Sequence, residues 1–166
     1  MTKPNTDRIE KRITVKAPLN RVWKAISDSG QFGLWFGVRF SGPFIAGKAI
    51  SGRMTPTTVS TEVAKAQKQF EGRPFDITVE TIDAPRRFSF RWHPYALDEK
   101  RDYSKEPTTL VEFVLSEAAG GTLVVVTESG FEQIPLDRRV EAFKANEGGW
   151  EAVIGQLVPA YLEQNP

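Results

Sequence analysis

The chain has 166 residues, enough for a single domain with a sizeable core. Lys and Arg number 22 against 21 Asp and Glu, so the chain lacks the basic excess of a dedicated nucleic-acid binder. With no cysteine, disulfides, thiolate catalysis and cysteine-ligated zinc or iron–sulfur centres are excluded.

Residues 1–8 have no apolar h-region, so they do not read as a signal peptide, and no apolar run approaches the ~20 residues of a membrane span. A cytoplasmic protein without membrane contact is expected, with residues 1–7 flexible. Ile9, Ile13, Val15 and Ala17 alternate with Arg8, Glu10, Arg12, Thr14 and Lys16, which predicts a strand with one apolar face, broken only by Lys11. Pro18 suits a helix start. Leu19, Val22, Trp23 and Ile26 then fall at helical spacing, and a break at Ser29-Gly30 precedes a short second helix carrying Phe32, Leu34, Trp35 and Phe36. Residues 38–44 and 48–53 read as a hairpin across Gly42-Pro43 and Gly47. Residues 55–70 are polar, and Ser60 is placed to cap a helix over 61–70; the segment reads either as a surface insertion or as a lid.

Phe75, Ile77, Val79 and Thr81 alternate with polar residues, as do Phe88, Phe90 and Trp92 after the Ala84-Pro85 turn. A polar, Pro-bounded loop covers 93–107. Val111, Phe113 and Leu115 predict a further strand, and Gly120-Gly121 turns the chain into residues 123–129. The period then changes. Leu136, Val140, Phe143, Glu147, Trp150, Ile154, Leu157 and Tyr161 follow a 4-3-4-3 spacing, one face of a long helix that starts after Pro135 and is perturbed by Pro159. The order β-α-α-β-β-β-β-β-β-α is most economically an α+β fold, one curved antiparallel sheet wrapped around the last helix.

These segments carry a family resemblance. Ala17-Pro18, Val22-Trp23, Ala25-Ile26 and Trp35-Phe36-Gly37 begin it; Pro85-Arg86-Arg87-Phe88-Ser89-Phe90-Arg91-Trp92 continues it; Gly149-Trp150-Glu151 with Ile154, Leu157 and Tyr161-Leu162 closes it. In order and spacing the chain resembles the Hsp90-ATPase-activator homologues of the Bet v 1-like or START-like superfamily. The resemblance implies a single helix-grip domain over 1–166, with a cavity open to apolar ligands. In eukaryotic co-chaperones of this kind a separate Hsp90-binding domain precedes the related one. This chain has no room for it, so direct Hsp90 activation is not expected. The superfamily also holds carriers and aromatase/cyclases, so fold alone does not assign function.

The candidate ligand-binding residues are Trp35, Phe36, Phe75, Phe90, Trp92, Phe113, Phe143, Glu147 and Trp150. The aromatics either fill a core or wall a pocket. Glu147 interrupts the apolar helix face, so it is either a polar anchor at a pocket or a residue that reaches solvent or an arginine. Gly148-Gly149 beside it suggests close packing on the sheet, a kink, or room for a ligand. His93, the only histidine, lies at a strand end and faces outward if Phe90 and Trp92 face inward. Neither a metal-ligand spacing nor a phosphate-binding glycine loop is present, and no cofactor is implied. The leading expectation is non-catalytic binding of a small hydrophobic ligand, in a stress- or metabolism-linked role. The alternatives are a cyclase/dehydratase- or hydrolase-like enzyme using Glu147, Tyr95 or His93 on a polyketide-like substrate, and a chaperone-associated interaction protein.

Overall fold

The computed structural model describes residues 7–166. The expectation of flexibility at 1–7 therefore lies, apart from Asp7, outside the described residues. Seven strands form one antiparallel sheet: β1 Arg8–Val15, β2 Val38–Phe40, β3 Ala49–Met54, β4 Pro74–Asp83, β5 Arg87–Trp92, β6 Thr109–Ala118 and β7 Gly121–Ser129. Their spatial order is β1-β7-β6-β5-β4-β3-β2, so all pairs but β1-β7 are sequence neighbours. The predicted alternation sets the inner face. Ile77, Val79, Phe88, Phe90, Val111, Phe113, Leu115, Val124 and Val126 are all buried. The hairpin before β4 is shorter than expected, because β2 ends at Phe40 and Phe44 leaves the ladder to stack on Phe88 at 5.0 Å.

Two short helices close one end of the curved sheet. α1 (Leu19–Ser27) buries Val22, Ala25 and Ile26. Asp28 caps α2 (Ser29–Phe36) by accepting from the N–H groups of Gly30 and Gln31 at 2.8 and 3.3 Å. Gly37 ends it in the left-handed region at φ 102°, where a Cβ would also meet the Thr55 carbonyl. α2 packs so tightly on β2 that a Cβ on Gly33 would lie 2.0 Å from the Val38 oxygen. Trp35 is fully buried, and its indole N–H donates to the Ala25 carbonyl at 2.9 Å. Ser60 caps α3 (Thr61–Gln67) as predicted, accepting from Val63 N–H at 3.2 Å, and a 3₁₀ turn follows over Lys68–Phe70.

The long C-terminal helix runs across the inner face as α4 (Leu136–Ala152), a π turn (Val153–Leu157) and α5 (Val158–Gln164). The π turn answers Pro159. Proline removes one N–H and crowds the carbonyl four residues back, and the widened turn bonds Val158 N–H to Val153 O instead. It also corrects the predicted helix face. Ile154, Leu157 and Tyr161 are buried as expected, but the extra residue in the wide turn shifts the preceding helix by about one position. Arg138, Ala142, Asn146 and Trp150 face inward, whereas Leu136 and Val140 are 79% and 62% exposed and Glu147 is exposed. Glu147 is thus not a polar anchor at a pocket. Close packing at Gly148-Gly149 is also overturned, since a Cβ on either would meet nothing within 4 Å.

Two glycine substitutions separate these environments. Gly33→Ala is expected to cost about 1–3 kcal/mol or more, because backbone must move. Gly148→Ala, in open helix, is expected to add about 0.5–1 kcal/mol. Urea unfolding of both variants checks the signs; equal effects would contradict this packing.

Candidate functional site

The sequence places one charged residue on the apolar face of a central strand. In β7 the inward positions run Thr122, Val124, Val126, Glu128, and Glu128 is fully buried. Its carboxylate accepts from four neutral donors on three other elements. Trp150 Nε1 reaches Oε1 at 2.7 Å, and Trp92 Nε1 reaches Oε2 at 2.8 Å. The Thr109 hydroxyl donates to Oε2 at 2.6 Å, and Asn146 Nδ2 lies 2.9 and 3.1 Å from the two oxygens. A buried carboxylate needs such partners, since leaving it bare costs far more than any hydrogen bond returns. Indole N–H groups can only donate, so the set fits an acceptor-only carboxylate. None of the ion pairs among the described residues includes Glu128.

Beside this cluster lies a cavity of about 420 Å³. Phe36, Phe75, Trp92 and Trp150 form its aromatic floor, with Trp92 and Trp150 5.7 Å apart at 31° and Phe36 6.1 Å from each. Met54, Val63, Leu97, Val153 and Leu157 add apolar wall. Gln67 from α3 ties this wall in place, accepting from Thr57 N–H at 2.7 Å and donating to the Phe36 carbonyl at 3.0 Å. The polar segment 55–70 therefore contributes a wall through Val63 and Gln67.

Of the predicted site residues, Phe36, Phe75, Trp92 and Trp150 meet at the cavity. Trp35, Phe90 and Phe113 are fully buried around Phe32 and fill the core instead. Phe143 packs on Phe131 at 5.1 Å, away from the cavity, because the shifted helix turns Ala142 inward. Asn146, Tyr103, Gln67 and Glu128 were not foreseen. The period-2 pattern through Val124 and Val126 signals Glu128; nothing local signals the others.

The 93–108 loop closes over the cavity through an ionic quartet. Arg138, nearly buried, donates to Glu106 at 2.8 Å and to the Pro94 carbonyl at 2.6 Å, and stacks 4.7 Å over the Tyr103 ring. Its Nη2 is buried without a hydrogen-bond partner, held against that ring. Arg101 joins Glu106 at 2.8 Å to Asp137 at 2.7 Å. His93 Nε2 bonds the Glu106 carbonyl at 3.1 Å, and the Tyr95 hydroxyl points to Glu141 at 3.4 Å. Burial alone pushes the Glu106 carboxyl up, but the bonds from Arg138 and Arg101 outweigh it and hold the group below its usual range. The Arg101 bond lowers Asp137 likewise. Among the described residues no group of three or more His, Asp or Glu is placed to hold a metal ion, and no helix is long and apolar enough to cross a membrane.

Two predictions follow from the buried groups. Glu128→Ala strands four donors and is expected to cost at least about 3 kcal/mol, whereas Thr109→Val removes one donor at similar volume and should cost about 1.5–3 kcal/mol; urea titrations rank them, and a neutral Glu128→Ala would refute the cluster's role. The quartet makes stability pH-dependent. Both carboxyls are lowered on folding, so their contribution is complete above the unfolded values near ~4 and is lost as pH falls through the lower folded values. Urea midpoints should therefore drop below about pH 4, and the drop should be smaller in Glu106→Gln.

The fold has known counterparts. The family model described as "Activator of Hsp90 ATPase homolog 1-like protein" matches residues 16–163. No curated protein sequence gives a significant match. Among solved structures, DynU16, a protein of the dynemicin biosynthetic locus, is 24% identical with a TM-score of 0.65 over 96% of this chain. This chain spans about half the length of that protein, 48%. MLL2253 from Mesorhizobium loti is 16% identical, with a TM-score of 0.68 over 96% of this chain and 98% of its own. A protein from Arthrobacter aurescens is 16% identical, with a TM-score of 0.70 over 98% and 90%. At these identities the structures speak for the helix-grip fold alone. The family match over nearly the whole chain, on a seven-stranded sheet gripping one long helix, places this protein in the Hsp90-ATPase-activator homologue family.

Proposed function

We propose that this protein binds a small apolar, aromatic molecule in the cavity beneath the 93–108 loop and does no chemistry on it. The observation that carries the reading is the aromatic floor of Phe36, Phe75, Trp92 and Trp150 under about 420 Å³ of space, a size and lining suited to a small ligand. Of the acid–base groups that an enzyme would use, His93 and Tyr95 line the cavity with their polar atoms turned to other partners. Glu147 is exposed, the Tyr95 hydroxyl turns to Glu141, and His93 Nε2 is committed to a backbone carbonyl. Glu128 is sealed behind the indoles with its lone pairs occupied, which fits a structural carboxylate better than a proton shuttle. The likeness to a protein of the dynemicin biosynthetic locus keeps polyketide-like molecules among the ligands to try.

A thermal-shift series with neutral polycyclic aromatics, flavonoids and sterols tests this. A true ligand at a hundredfold excess over Kd adds ~2.7 kcal/mol, a Tm rise of about 5–10 °C for a domain of this size. Phe75→Ala, at the cavity floor, should remove most of that rise. Ligand recovered unchanged supports binding; ligand recovered as a new compound overturns the non-catalytic reading.

A further inference from the structure

The cavity is uneven in charge and in hydrogen-bonding sense. Among the described residues that line it, none is Lys or Arg, and the one ionisable acid is Asp76 at the exposed rim. Behind the floor stands Glu128, whose four donors are all neutral, so they spread its charge without cancelling it. The arginines of the quartet do not compensate, because Arg101 and Arg138 are matched one for one by Glu106 and Asp137. The two indoles that donate to Glu128 are also those that face the cavity, and an indole hydrogen-bonded to a carboxylate presents a more electron-rich ring face.

The Tyr103 hydroxyl at the cavity accepts from Asp98 N–H and keeps its own proton to give, but Asn146 beside the indoles offers an acceptor. Asn146 gives its Nδ2 to Glu128, which leaves carbonyl Oδ1 as the atom it offers the cavity. His93 donates from Nε2, since its partner is the Glu106 carbonyl. Gln67 has both ends of its amide occupied.

We infer that the cavity selects its ligand by charge: it takes an aromatic molecule that is neutral or cationic and carries an N–H or O–H donor, and it turns away carboxylates and sulfonates. This deepens the proposed function and rests on it. An anion entering would face the Asn146 acceptor and an unpaired negative charge in a desolvated setting, whereas an amine or hydroxyl meets Asn146 Oδ1 over electron-rich rings. Glu128 acts here as a positioning residue, fixing the indoles and setting the sign of the field.

The test uses the full chain and the neutral fluorophore N-phenyl-1-naphthylamine, displaced by 2-naphthylmethylammonium or by 2-naphthoate, which share a ring and differ in charge. Saturable fluorescence is expected, with the ammonium displacing the probe at a concentration at least tenfold below that of the carboxylate. In Glu128→Gln, with its fold verified by near-ultraviolet circular dichroism, that ratio should shrink towards one. Equal or better displacement by 2-naphthoate overturns the charge selection while leaving binding intact. Absence of any fluorescence rise with folded protein overturns the binding reading, and this inference with it. An unchanged ratio in folded Glu128→Gln overturns the part assigned to Glu128. Should that variant not fold, the ammonium-to-carboxylate ratio of the unaltered protein decides the matter by itself.

Discussion

A single carboxylate inside an otherwise apolar sheet constrains much of this molecule. Glu128 on β7 draws Thr109 from β6, Trp92 from β5, and Asn146 and Trp150 from α4 onto two oxygen atoms. Each donor is neutral, so the arrangement is held by hydrogen-bond geometry rather than by an ion pair. Geometry of that kind is exacting, because every donor that misses leaves a buried polar group unpaired. The helix must therefore present Asn146 and Trp150 to the sheet at one rotation, and both indoles must lie edge-on to the carboxylate. The orientation of the cavity floor is a consequence of that requirement.

The aromatic residues divide into two populations around this point. Phe32 gathers Trp35, Phe44, Phe88, Phe90 and Phe113 within 4.5 to 6.3 Å, and these rings are buried as a packed core. Phe36, Phe75, Trp92 and Trp150 stand at the border, each touching another ring on one side and open space on the other. Gly149 helps keep that space, since it brings no side chain to a position where a Cβ would meet nothing. The loop over the cavity carries its own anchor. Arg138 is buried where an isolated charge would be costly, and it is tolerated because Glu106, the Pro94 carbonyl and the Tyr103 ring surround it.

The helix-grip fold places these features without dictating them. Structures that share 16% of their residues with this chain superpose on nearly all of it, so the sheet and the gripping helix tolerate wide changes in sequence. The chemistry at the hollow depends on a handful of side chains, and a binding role has to be argued from those rather than from the architecture.

Strand alternation and helix punctuation were legible in the sequence because they are local. Period-2 patterns at 75–81, 88–92 and 111–115, the cap at Ser60 and the helix start after Pro135 all depend on neighbours a few residues away, and each appears in the structure. The four residues of the cavity floor were legible too, Phe75 and Trp92 from their strand patterns, Phe36 from the second helix and Trp150 from the stripe of the last one. The phase of the long helix was not. A 4-3-4-3 stripe fits a regular helix, and the π turn over Val153–Leu157 breaks that regularity, exchanging Glu147 for Asn146 and Phe143 for Ala142. Which aromatics fill space and which border it was likewise undecidable locally, because a cavity is defined by what is missing between elements far apart in sequence. The sequence by itself determined the elements, their order and one apolar face for each. Only the tertiary structure decided what satisfies the buried Glu128, because its four donors converge from positions 18 to 36 residues away.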